Sequence, residues 1–126
     1  KGPKKTSKKI QKMINKYIVL TIVIFLLNNI LIWYQLNSQL VWDWAKGTKS
    51  MWIMSLMGIP ISLLFWYATK WGYLGFGNLW SVRFLGFATS MMTFPIMTYL
   101  YLGETITLKT LISIILALII MLLQLL

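Results

Sequence analysis

The sequence predicts an all-α fold: an integral membrane bundle of four transmembrane helices with short loops and a basic N-terminal tail. Three observations point there. First, 59% of the 126 residues are hydrophobic and 11% are charged, with a mean hydropathy of +0.75. A soluble domain of this size carries about 25% charged residues. Second, the apolar residues fall in long blocks, each near the roughly 20 residues that a helix needs to cross a bilayer. Third, tryptophan and tyrosine gather at the block edges, as they do where a membrane meets water.

The tail, residues 1–16, holds Lys1, Lys4, Lys5, Lys8, Lys9, Lys12 and Lys16, most of the chain's twelve cations. Lys1 to Ser7 reads as disordered. From Lys8 onward, Ile10, Met13, Ile14 and Tyr17 recur at helical spacing between lysines. Two readings fit: a short helix lying in the interface, or an extension of the first span. The net charge of +10 is concentrated beside a membrane helix, so Lys8, Lys9, Lys12 and Lys16 point to anionic lipid headgroups and not to nucleic acid.

The membrane domain occupies residues 17–126. Span 1 covers about 17–36, and its Thr21, Asn28 and Gln35 are seven apart, hence on one face. A loop with Trp42, Asp43, Trp44, Lys46 and Lys49 follows. Span 2 covers about 51–69 and repeats the spacing with Ser55, Ser62 and Thr69. These hydroxyls bond readily to carbonyls four residues back. Pro60 removes the donor for the Leu56 carbonyl, which predicts a kink. A glycine-rich loop is expected from Lys70 to Asn78. Span 3 covers about 79–102, with Arg83 near its start and Pro95 inside. Gly103 supplies a turn without a Cβ penalty, and Glu104 is expected beside the positive end of span 4, about 106–126.

Four spans place nine cations on the N-terminal side, counting Lys70 and Arg83, against Lys46, Lys49 and Lys109 on the other. Both termini are then expected in the cytoplasm of a multi-pass protein. The chemistry available is narrow. There is no cysteine and no histidine, and the two carboxylates, Asp43 and Glu104, fall outside the spans. General acid–base catalysis needs a titratable group near the reacting atoms. Neither enzymatic activity nor a metal or other cofactor is expected. Gly75-Phe76-Gly77 lacks the context of a dinucleotide loop.

What remains is polar residues within spans. Asn28 either touches a substrate or bonds a neighbouring helix. Arg83 either snorkels to headgroups or turns its forked guanidinium inward toward a carboxylate or phosphate. Ser62 and Ser90 complete the candidate substrate-binding set. Ser113 and Ala117 form a small-residue pair on the almost wholly apolar span 4, and a dimer contact is expected there.

The stretch Tyr101-Leu102-Gly103-Glu104-Thr105-Ile106-Thr107-Leu108-Lys109-Thr110-Leu111-Ile112 resembles the turn between the third and fourth helices of the drug/metabolite transporter superfamily. In length and four-span plan the chain resembles the small multidrug resistance branch. That resemblance implies a dimer, a substrate chamber built from spans 1 to 3, and alternating access. The branch carries a membrane-embedded glutamate in its first helix, and Asn28 or Asn29 stands at that place here. An amide does not titrate. The expectation is therefore a carrier of small anionic or zwitterionic solutes or lipids, working as a dimer. The alternative is a non-transporting scaffold or accessory subunit whose lysine tail binds anionic lipid or an acidic membrane partner.

Overall fold

A computed structural model describes the backbone of residues 2–126 and the side chains from residue 8 onward. The fold is all-α. Helix α1 runs Gly2–Val41, a 3-10 turn follows at Asp43–Ala45, and α2 (Thr48–Leu56), α3 (Gly58–Phe76), α4 (Leu79–Leu102) and α5 (Leu108–Leu125) complete the chain. α1, the joined α2–α3 unit and α5 are long and apolar enough to cross a membrane.

Each boundary has a local cause. α1 has no glycine or proline between residues 4 and 41 and continues until Trp42 adopts an extended backbone. Gly2 to Ser7 is therefore helical, where disorder was expected, and Lys1 lies outside the described residues. No break separates Lys8 from Thr21, so the lysine-rich stretch is continuous with the rest of α1. The proline effect moves slightly: α2 ends at Leu56, and the Met57 amide turns back to the Met54 carbonyl at 3.1 Å. Beyond the joint, α3 absorbs most of the expected loop from Lys70 to Asn78 and leaves only Gly77 and Asn78 as a turn.

Gly77 and Gly103 sit at φ 79° and 70°, the left-handed conformation in which a helix closes most cheaply on glycine. Asn78 then caps α4 by accepting from the Ser81 amide at 2.8 Å. Thr107 caps α5, which leaves Glu104 three residues outside the cap and not in the first turn.

Packing partners give the topology. Gly75 approaches Tyr17 and Ile18, Gly72 approaches Thr21, and Gly58 approaches Gln35, so α3 runs antiparallel to α1. Gly86 approaches Phe25 while Asn29 bonds Thr89 and Trp33 bonds Thr98, so α4 runs parallel to α1. Helix α5 packs on α4 alone. The apolar centre is Phe25, Ala68, Val82 and Leu85, flanked by Ile22, Ile24, Phe76 and Met121.

Polarity is inverted relative to a soluble domain. Large apolar side chains such as Leu63, Phe94, Leu116 and Leu123 are exposed, whereas Thr21, Asn28, Asn29, Ser38, Thr89, Thr93 and Thr98 are buried. Exposed apolar surface on this scale is far beyond what a soluble monomer presents.

Candidate functional site

The seven-residue repeat of α1 faces α3. Thr21 lies against Gly72, where an added Cβ would stand 3.1 Å from its methyl. Gln35 lies against Gly58 and donates through Nε2 to the Met54 carbonyl at 3.0 Å. That bond supports the joint between α2 and α3, where helical donors are interrupted. Asn28 falls midway between these contacts. It is completely buried, and neither Oδ1 nor Nδ2 has a hydrogen-bond partner. An amide in that state costs roughly 1–3 kcal/mol by mutational measures and more in a fully apolar medium.

Its neighbour Asn29 faces α4 instead and is satisfied. Asn29 Nδ2 donates to Thr89 Oγ1 at 3.0 Å, and the Thr89 hydroxyl lies 3.0 Å from the Leu85 carbonyl and 2.8 Å from that of Gly86. One turn further, Thr93 Oγ1 donates to the Thr89 carbonyl at 2.8 Å. Trp33 Nε1 donates to Thr98 Oγ1 at 3.1 Å. The ring of Trp33 stacks on Tyr101 with centroids 5.2 Å apart, and the Tyr34 and Tyr101 hydroxyls bond each other. Trp42 and Trp44 extend the aromatic cluster over this end of the bundle.

The residues singled out from sequence do not gather into one chamber. Asn28 is sealed between helices, Ser62 is exposed on the outer side of α3, Arg83 is exposed near the start of α4, and Ser90 is half-buried on α4. Ser55 and Thr69 bond the carbonyls of Met51 and Phe65 at 2.8 Å, as their spacing predicts. Ala117 is buried and Ser113 half-buried on the face of α5 that packs against α4, so this pair belongs to the seam within the chain. Small side chains there let the two backbones approach, and any contact of α5 with a second protein falls to its outer leucines and isoleucines. Lys8, Lys9, Lys12 and Lys16 are all exposed.

Asn29, Thr89, Thr93, Thr98 and Trp33 were not singled out. Thr89 and Thr93 are four apart within an apolar helix, which was the available signal for an inward-facing hydroxyl row. Among the described residues no group of acidic, histidine or cysteine side chains is arranged to hold a metal ion. One ion pair is present there, Lys46 with Asp43 at 3.1 Å, and it is exposed. No family model, curated protein or solved structure matches this chain.

Proposed function

We propose that this chain is a multi-pass membrane protein of transporter-like plan. α1, the α2–α3 unit, α4 and α5 each cross once, and both termini are cytoplasmic. In this reading it works as a dimer and carries small anionic or zwitterionic solutes or lipids. Support for insertion comes from the inverted polarity: many large apolar side chains are exposed, while Thr21, Asn28, Asn29, Thr89, Thr93 and Thr98 are buried. Cations supply the orientation, since Lys8 to Lys16, Lys70 and Arg83 fall at one end and both carboxylates at the other.

The observation that carries the carrier reading is Asn28. A leucine would fill its place without an unsatisfied amide, yet the chain keeps both polar atoms buried midway along the α1–α3 contact. Gly58, Ala68, Gly72 and Gly75 give that contact small-residue surfaces over which helices can shift. A shift that opens the contact would bring Asn28 to a polar cargo. The scaffold reading rests on the same burial: Asn28 is fully enclosed, and Lys8, Lys9, Lys12 and Lys16 on the extension of α1 are exposed.

Transport into proteoliposomes separates the two. Native protein is compared with Asn28→Leu and Arg83→Gln on anionic, zwitterionic and cationic solutes. A carrier moves an anionic or zwitterionic class, and Asn28→Leu stops it while the helical content survives. If no solute moves, with or without a pH gradient, the carrier reading is lost and the scaffold reading stands.

A further inference from the structure

The outer side of α3 carries an open groove. Its upper part, about 490 Å³, is lined by Ser62, Phe65, Trp66, Thr69 and Lys70. A second part of about 710 Å³ shares Ser62 and Trp66 and continues down to Ser55 and Gly58, past the joint with α2. The two form one channel along the helix, roughly 22 Å from Lys70 to Ser55 at helical rise. Chemistry changes along it. At one end Lys70 Nζ lies 5.4 Å from the centre of the Trp66 ring. Below, the walls are apolar: Phe65, Ile59 and Leu63, all exposed. The small side chains of Ser55, Gly58 and Ser62 make the floor.

We infer that this groove holds one phospholipid with an anionic headgroup, its phosphate at Lys70 and an acyl chain laid along Trp66, Ser62 and Ser55. The inference rests on the membrane reading above and adds a specific lipid site to it. Charge complementarity selects the headgroup. Lys70 is exposed, and among the described residues the one ion pair is elsewhere; Asp43 and Glu104 both lie at the opposite end of the bundle. Trp66 holds the ammonium by a cation–π contact, which keeps the charge at the mouth of the groove. An amphiphile matches both ends of the channel, whereas a free phosphate matches one.

The test uses the full chain, extracted from carbonate-washed membranes into mild detergent, with bound lipid counted by native mass spectrometry. Phosphatidylglycerol, phosphatidylcholine and glycerol phosphate are the probes. Phosphatidylglycerol should be retained about fivefold over phosphatidylcholine, the worth of one lysine near an anionic surface. Lys70→Gln should remove that preference, Ser62→Trp should block both lipids, and Lys49→Gln at the other end should change nothing. Glycerol phosphate, lacking a chain, should not be retained.

Unchanged retention in Lys70→Gln and Ser62→Trp overturns the proposal and moves the lipid to the lysine-bearing part of α1. Retention of glycerol phosphate equal to that of the lipid overturns it as well. A second copy of the chain is the rival occupant. Because the sequence has no cysteine, Ser62→Cys is a unique thiol, and its oxidation to a disulfide dimer in native membranes would also refute the lipid site. Loss of the protein in the carbonate wash overturns the membrane reading and the groove together.

Discussion

The seams that helix α4 makes with α1 and with α5 are built differently. Toward α1 it presents Thr89 and Thr98, whose hydroxyls accept from Asn29 and Trp33 of α1. Toward α5 it meets a stripe of residues 110, 113, 114, 117, 120, 121 and 124, in which Ala117 is the buried member. The first seam is held by directed hydrogen bonds and aromatic packing, so its register is specified atom by atom. The second is held by close approach of apolar surfaces. In a membrane that gives attraction but little directional preference, because lipid tails are as apolar as leucine.

The comparison breaks most easily at Trp33, which joins both kinds of contact. Trp33→Ala should cost about 3–5 kcal/mol, as for other buried large aromatic truncations. Unfolding in mixed micelles, followed by circular dichroism, measures it. Trp33→Phe keeps most of the packing and should lose only about 1 kcal/mol for the bond to Thr98. Equal losses in the two variants would mean that the hydrogen bond, not the ring, holds the seam.

Gly75→Ala should follow at about 1–3 kcal/mol. The added Cβ would lie 3.1 Å from the Ile18 backbone nitrogen, which cannot turn aside as a side chain can. The same assay reads it, and a neutral result would show that α1 and α3 slide past each other without cost. On the second seam, Ala117→Leu should cost a similar amount, about 1–3 kcal/mol, by overpacking against α4.

The adjacent asparagines sharpen the contrast because their changes should differ in sign. Asn29→Leu removes a satisfied bond and should destabilise by about 0.6–1.7 kcal/mol, from the mean to the largest value for side-chain bonds within membranes. Asn28→Leu removes an unpartnered amide and should stabilise by about 1 kcal/mol. If Asn28→Leu destabilises instead, the amide has a partner in the bilayer-embedded protein, and the carrier reading loses its main support. The smallest effect belongs to the outer face of α5: Ile119→Ala should stay within about 0.5 kcal/mol, as surface changes do. A larger loss there would reveal a protein contact on that face.

Much of the architecture was legible beforehand. Helix α4 covers 79–102, the stretch expected for span 3, because Asn78 and Gly103 terminate it by side-chain capping and left-handed φ, both local effects. The aromatic clusters separate to the two ends for the same reason that residues along a helix keep their height. Less legible were the limits of α1 and α3. The polar tail extends α1 because nothing in residues 4–41 breaks a helix, and composition alone suggested disorder. The glycine-rich stretch stays helical because Gly72 and Gly75 are required where α3 presses on Thr21, Val82 and Ile18, a demand that only the partner helices make.

By itself, the sequence determined the all-helical class, the apolar blocks, the turns at Gly77 and Gly103 and the uneven placement of charge. These depend on spacing, backbone conformation and composition, which are properties of the chain read locally. Tertiary structure alone decided which way each polar residue faces. Asn28 and Asn29 are neighbours with the same side chain, yet one is unpartnered against α3 and the other bonded to α4. A rotation of about 100° per residue separates them, and what each then meets depends on helices more than thirty residues away.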